Sequence, residues 1–154
     1  MTITDLTRID RSVDIEASPE RIWRALTDPA EISGWFQVSV EGSVEPGNEV
    51  WMTALHPDFA GQRFRVLFVE MTPPQRLVWK WHPGAIDPAV DYSLEPRTTV
   101  TFTLEPIAKG TRLSVAESGF DQVALERRAK VYADNTGGWT AVVLWIRKHV
   151  EKQG

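Results

Sequence analysis

The sequence predicts an α+β fold in which a curved antiparallel sheet of about six to seven strands wraps around a long C-terminal helix. Three observations support this prediction. One strand and two short helices open the chain, residues 38–120 contain only strands and turns, and the remainder returns to a helical period. A chain of 154 residues fits one domain, predicted to span residues 1–154, and is long enough to bury one sizeable core.

The first elements carry clear local signals. Residues 9–17 alternate between apolar and polar side chains, which is typical of a half-buried strand. Ser18-Pro19-Glu20 begins a helix with a capping hydroxyl, a proline at the first helical position and an acid in the first turn. Pro29 should end that helix near Asp28, and Asp28-Pro29-Ala30-Glu31 begins a second short helix in the pattern of a capping box.

Six further strands are predicted, at residues 38–44, 49–55, 62–70, 76–82, 99–105 and 111–117. The last two are joined by a turn at Ala108-Lys109-Gly110 and form a hairpin. Residues 83–96 break the alternation and are too long for a simple hairpin turn. We therefore predict a lid, a binding loop or a disordered connection there, more mobile than the strands it joins.

The C-terminal segment follows a helical period. Asp121 is predicted to cap the helix, and apolar positions recur from Val123 onward. Gly137 and Gly138 would each cost roughly 1 kcal/mol in a helix interior. They therefore predict a kink, a break between two helices or a close approach to the sheet. His149 lies near the C-terminus, where a favourable interaction with the helix dipole is its only expected role.

Composition excludes several classes of function. The net charge is −4, and the basic residues Arg127, Arg128 and Lys130 are flanked by acids, so we interpret them as a solvated helix face and predict no nucleic-acid partner. The absence of cysteine removes disulfides, thiolate nucleophiles and cysteine-ligated zinc. No basic region followed by an apolar stretch opens the chain, and the apolar runs are short, which predicts a cytoplasmic location without membrane insertion.

Two acidic residues are candidates for a functional role. Glu70 and Glu117 fall in phase with the apolar residues of their strands, so both carboxyl groups should point toward the C-terminal helix unless the alternation lapses at the strand end. A buried carboxylate is costly unless it is paired, so it would bond to an arginine or a hydroxyl, or stay protonated. In either state it could orient a polar ligand group or serve acid–base chemistry, a role that favours Glu117 over Glu70.

Motifs for metal binding or catalysis are weak or absent. His56 and His82 could form a metal site with Asp58, Asp87 or Asp91, but no local ligand spacing supports one. Every serine lies in a cap, strand or turn context. The chain has no Gly-x-Ser-x-Gly elbow, no glycine-rich phosphate loop and no dinucleotide fingerprint. The sequence therefore predicts no metal and no cofactor.

Four stretches resemble the heat-shock-protein-90 ATPase activator-like (Aha-type) family of the START-like, or SRPBCC, helix-grip superfamily. They are Asp14–Pro29 running on to Trp35-Phe36, Pro73–Trp81, Thr99–Leu104 through Thr111–Leu113 to Glu117–Phe120, and Gly138-Trp139 followed by Val143 and Ile146. The resemblance covers nearly the whole chain and implies the helix-grip fold. The eukaryotic co-chaperones of this family carry an additional N-terminal chaperone-binding domain, for which 154 residues leave no room.

The resemblance also implies a cavity between sheet and helix, and the aromatic residues suit its walls. Strand phase and helix position select Phe68, Trp79, Trp81 and Trp139, with Glu117, as ligand-binding residues; the other rings are assigned to a packed core. Apolar walls with few polar groups predict the binding of a hydrophobic or amphipathic small molecule, with no assigned chemistry. Two alternatives stay open: a cyclase- or hydrolase-like enzyme using Glu117 and a histidine, and a chaperone-interaction module.

Overall fold

A computed structural model describes residues 7–57, 61–84 and 89–153. The strands are β1 (Arg8–Ile15), β2 (Val38–Glu41), β3 (Glu49–Ala54), β4 (Arg63–Thr72), β5 (Arg76–Trp81), β6 (Thr98–Ile107) and β7 (Gly110–Ser118). The helices are α1 (Pro19–Thr27), α2 (Pro29–Phe36) and α3 (Leu125–Gln153), with a 3-10 turn at Phe120–Gln122 before α3. The predicted α+β helix-grip fold is confirmed.

All seven strands form one antiparallel sheet in the order β1-β7-β6-β5-β4-β3-β2. Strands β2 to β7 follow one another as a meander, which short turns permit because neighbouring strands run in opposite directions. The N-terminal β1 instead pairs with β7, so that α1 and α2 must connect the two opposite edges of the sheet. The sheet is curved and packs against α3.

The hairpin of β6 and β7 shows how the chain closes on β1. Gly110 opens β7 at φ +130°, and a Cβ atom there would lie 2.1 Å from the carbonyl oxygen of Ile15. Any other residue would collide with the end of β1, so this close approach requires glycine. The predicted turn therefore also fixes where β1 ends.

The starts of α1 and α2 follow the sequence signals, with one difference. The Ser18 hydroxyl accepts a hydrogen bond from the Arg21 amide, and the Asp28 carboxylate accepts one from the Ala30 amide. The predicted capping box is only half formed, because the Asp28 amide already donates to the carbonyl of Arg24 at 2.9 Å. A capping box would pair the Asp28 amide with the Glu31 carboxylate, but the last turn of α1 already uses that amide.

The long helix corrects two predictions. Helix α3 runs without interruption from Leu125 to Gln153, so Asp121 lies in the preceding 3-10 turn and does not cap it. Gly137 and Gly138 are exposed, and a Cβ atom at either would meet nothing within 4 Å. A break between two helices and a close approach to the sheet are therefore both wrong.

The core lies between the inner face of the sheet and α3. One face of α3 contributes buried apolar residues at helical spacing, namely Trp139, Val142, Val143, Ile146 and Val150. They pack with buried side chains of α1 and the central strands, including Ile22, Leu26, Phe68, Trp79 and Phe102. Within the described residues, no helix is both long and apolar enough to span a membrane.

Candidate functional site

The inner face of β5 carries the centre of the candidate site. Alternation along β5 turns Leu77, Trp79 and Trp81 toward α3. Trp79 is paired across the sheet with Phe68 on β4 and Val100 on β6. Because β5 is the middle strand of seven, neighbours on both sides enclose the Trp79 side chain, which is 1% exposed.

Four predicted ligand-binding rings lie in one cluster with Phe102. The centroid of Trp79 lies 5.0 Å from Phe102, 5.4 Å from Trp81, 5.9 Å from Phe68 and 6.5 Å from Trp139. The rings of Trp81 and Trp139 are 5.8 Å apart. Most pairs are tilted or edge-to-face, the arrangements that aromatic quadrupoles favour. The structure brings the predicted rings together; their contact with a ligand stays a prediction.

A row of rings connects this cluster to the protein surface. Trp81 contacts Phe64 at 5.9 Å between centroids, and Phe64 contacts Phe36 at 6.0 Å. Trp81, Phe64 and Phe36 are each partly exposed, whereas Trp79 is enclosed. Phe64 and Phe36, which the sequence assigns to the packed core, pack against its edge and stay partly exposed, so they extend the aromatic row outward from Trp81.

Glu117 is the polar centre of the inner face. Its side chain is fully buried, so the predicted inward orientation is confirmed. The indole Nε1 of Trp81 and the hydroxyl of Thr98 donate to Oε2, at 2.8 and 2.6 Å. The side-chain amide of Asn135 and the indole Nε1 of Trp139 donate to Oε1, each at 2.8 Å.

These four hydrogen bonds saturate the Glu117 carboxylate with neutral donors. A carboxylate has about four lone-pair positions, and the four donors fill them. Across residues 7–57, 61–84 and 89–153, every donor to Glu117 is an uncharged group. Since Oε2 is held by the sheet and Oε1 by α3, the carboxylate ties the helix to the strands.

Thr98 and Asn135 were missed by sequence reasoning. Thr98 lies one residue before the strand predicted at residues 99–105, so the alternation of apolar and polar residues in that strand did not include it. Asn135 precedes Trp139 by four residues, so helical spacing places both on one face of α3, and that spacing could have identified the pair.

Trp79 carries a second notable polar group on this face. Its indole Nε1 is buried, and among the described residues it has no hydrogen-bond partner. A buried donor without an acceptor costs about 1–3 kcal/mol. The N–H therefore marks a position on the aromatic wall where an acceptor atom would be stabilised.

Glu70 does not join the site. A β-bulge between Phe68 and Glu70 interrupts the register of β4 with β5 and reverses the phase of the residues that follow. The Glu70 carboxylate is 44% exposed and pairs with Arg76 at 3.0 Å on the outer face. The prediction that phase turns Glu70 toward the helix is therefore wrong.

The segment after β5 is attached to α3 through Arg127. The guanidinium of Arg127 donates to the Glu95 carboxylate and to the carbonyl of Pro83, and lies 4.8 Å from the ring of Tyr92. Arg127 is therefore not part of a solvated helix face, although Lys130 pairs in solvent with Asp134 as such a face would.

His82 also contacts Glu95, the residue that Arg127 binds. Its Nε2 lies 2.9 Å from the carbonyl oxygen of Glu95, which requires the nitrogen to carry a proton and donate. Burial lowers the pKa of His82 below its usual value, so the neutral ring is favoured. The described part of the chain contains no group of three or more residues placed to hold a metal, and the candidates Asp58 and Asp87 lie outside that part.

A cluster of side chains around the Glu31 carboxylate joins the three helices. The Glu31 carboxylate accepts hydrogen bonds from Arg21 at 2.7 Å and Arg24 at 2.8 Å, and lies 3.1 Å from His149 Nε2. Partial burial acts to raise the pKa of Glu31, but the hydrogen bonds from Arg21, His149 and Arg24 outweigh it and hold the pKa below its usual value. His149 therefore bridges α3 to α2 and does more than interact with the helix dipole.

The outer face of the sheet carries a shallow polar groove of about 410 Å³. Small hydroxyl residues of β1, β6 and β7 form its floor, and arginines lie at its rim. Arg8 pairs with Asp10 and Arg76 pairs with Glu70, whereas Arg11 donates to the hydroxyl of Thr140 and to the carbonyl of Asp10. The residues that line the groove include no aromatic ring, in contrast to the inner face.

A curved seven-stranded sheet packed against one long helix, with an aromatic inner face, defines a START-like helix-grip domain. The chain belongs to the family described as Activator of Hsp90 ATPase homolog 1-like protein, whose model matches residues 16–151. No protein of curated function matches the sequence.

Solved structures agree with this fold. Protein MLL2253 from Mesorhizobium loti is 25% identical with a TM-score of 0.75, over 96% of this chain and 98% of that one. Protein NE0264 from Nitrosomonas europaea is 19% identical with a TM-score of 0.73 over both entire chains. The Aha1 dimer from Colwellia psychrerythraea is 19% identical with a TM-score of 0.70, over 94% of this chain and 96% of that one.

Proposed function

We propose that the inner face binds a hydrophobic or amphipathic small molecule between the sheet and α3, in the cytoplasm. The observation that carries this proposal is the row of partly exposed rings, Phe36, Phe64 and Trp81, which leads from the surface to the enclosed cluster around Trp79. Partly exposed aromatic rings are costly to hydrate, and an apolar ligand lying against them would remove that surface from water. Phe68 and Trp139 complete the proposed wall.

The contacts of Glu117 favour a structural role in ligand binding over acid–base catalysis. A general acid or base must reach the reacting atom, but both oxygens of Glu117 already accept hydrogen bonds from protein donors. Its role in the proposal is to hold α3 and two indole rings in place around the ligand.

Native mass spectrometry of freshly purified protein tests the proposal by detecting a co-purifying small molecule. A titration with the neutral fluorescent probe N-phenyl-1-naphthylamine tests it independently. Trp81→Ala should reduce the fluorescence gain, because it removes the ring that joins surface and cluster. Trp51→Ala is the matched control, since Trp51 lies on the outer face against Arg63 and Arg65. A native protein that neither carries a ligand nor enhances the probe would refute the proposal.

The family description favours a second candidate, interaction with a heat-shock-protein-90 chaperone. A pull-down and an ATPase assay with such a chaperone would test it. Stimulation of ATPase activity by this chain would support the candidate, and unchanged activity with no complex would contradict it.

A further inference from the structure

We infer that the ligand of the inner site is uncharged and carries a hydrogen-bond acceptor, such as a carbonyl or ether oxygen, that the indole Nε1 of Trp79 binds. The inference rests on the proposed function and adds the chemical class of the ligand. It follows from a comparison of two of the buried polar side chains on the inner face, Glu117 and Trp79.

Trp79 offers a donor that needs an acceptor. Its side chain is almost wholly enclosed, and its Nε1 has no partner in the described part of the chain. The indoles of Trp81 and Trp139 provide the comparison, because each of them donates to Glu117 at 2.8 Å. An oxygen placed at Trp79 Nε1 would therefore complete the hydrogen bonding of the aromatic cluster.

The apolar site disfavours charged ligands, and Glu117 adds to that penalty for an anion. Glu117, Val100 and Trp79 are cross-strand neighbours on β7, β6 and β5, so two strand spacings, about 10 Å, separate the backbones of Glu117 and Trp79 and set the scale of the interaction. At that separation and an effective dielectric constant near 20, a ligand anion would lose affinity by roughly tenfold or more. The same charge would attract a cation, but a cation must give up its hydration to enter the apolar site and offers no lone pair to the N–H of Trp79.

Four naphthalene probes of one shape test the inference: 2-acetylnaphthalene, 2-ethylnaphthalene, 2-naphthoate and 2-naphthylmethylammonium. We expect the ketone to bind roughly tenfold more tightly than the ethyl compound, because it adds one hydrogen bond and relieves a buried unpaired donor. The anion and the cation should bind more weakly than the ketone.

Indole proton–nitrogen NMR spectra report the contact directly. The chain has seven tryptophans, and Trp79→Phe should delete one indole signal and so identify Trp79. The ketone should shift that signal, and the ethyl compound should not. Trp79→Phe should also reduce ketone affinity to that of the ethyl compound, while Trp51→Phe leaves both affinities unchanged.

The outcomes separate the inference from the proposed function. Equal binding of ketone and ethyl compound, with no shift of the Trp79 signal by the ketone, would overturn the inference and leave the proposed apolar site intact. Tightest binding by the anion or the cation would also overturn it. Failure of all four probes to bind would overturn the proposed function together with the inference. If Trp79→Phe does not fold, the relative affinities of the four probes for the unaltered protein still decide the matter.

Discussion

Replacing Glu117 by glutamine should destabilise the fold, although it preserves the shape of the side chain. The amide can keep its oxygen toward only one of the two donor pairs. If its NH₂ group faces the strands, Thr98 can rotate to accept, but the indole of Trp81 can only donate. If it faces α3, Asn135 can turn its amide, but the indole of Trp139 cannot accept. In either orientation one buried indole N–H loses its acceptor.

The magnitude follows from three contributions. The orphaned indole costs about 1–3 kcal/mol. Of the other three hydrogen bonds, two change from a charged to a neutral acceptor and the third reverses so that the glutamine donates; each weakens by about 1 kcal/mol. Loss of the buried charge relieves a desolvation penalty of several kcal/mol, which is of similar size to that weakening. We therefore expect the free energy of unfolding to fall by about 1–3 kcal/mol.

Urea unfolding followed by far-ultraviolet circular dichroism measures this change without relying on tryptophan fluorescence. With an m-value of about 2 kcal/mol per M, the midpoint should fall by about 0.5–1.5 M. Glu70→Gln is the matched control, because it removes an exposed strand carboxylate whose ion pair contributes less than about 1 kcal/mol. A Glu117→Gln protein as stable as the unaltered one, or no less stable than Glu70→Gln, would refute this account of the hydrogen bonds.

Three further predictions concern the helices and the segment attached to α3. Gly137→Ala and Gly138→Ala should each stabilise the protein by roughly 0.5–1 kcal/mol in urea unfolding, since α3 is helical and open there; destabilisation would mean that the glycines serve flexibility. Because the pKa of Glu31 is depressed below its usual 4.5, its contribution to stability is present above that value and lost as the pH falls through the folded value. The difference in stability between the unaltered protein and Glu31→Gln should thus be largest above pH 4.5 and shrink as the pH falls below it, and a constant difference would contradict the assignment. Arg127→Ala should accelerate amide exchange at residues 89–96 by roughly tenfold or more while β6 stays protected, and unchanged exchange there would show that other contacts hold the segment.

Interactions between residues that are close in the chain were enough to predict the order and type of the helices and strands. Ser18 and Asp28 cap the helices they were predicted to cap, because a side-chain oxygen next to an unpaired amide is a contact between near neighbours in the chain. The strands were predicted within a few residues, since period-two burial is recorded in each strand's own residues. Phe68, Trp79 and Phe102 proved to be neighbours because inner-facing positions of adjacent strands meet on one face.

Contacts between distant segments decided the rest. The same phase argument succeeded for Glu117 and failed for Glu70, because the bulge before Glu70 depends on how β4 pairs with β5 and leaves no mark in β4 alone. The donors to Glu117 come from β5, β6 and α3, and the partners of Arg127 and His149 lie 32 and 118 residues away. The sequence by itself determined which segments form strands and helices and which faces are apolar, since these depend on neighbours along the chain. Only the tertiary structure decided which buried polar groups find partners, because a hydrogen bond needs distance and direction that the packing of separate elements supplies.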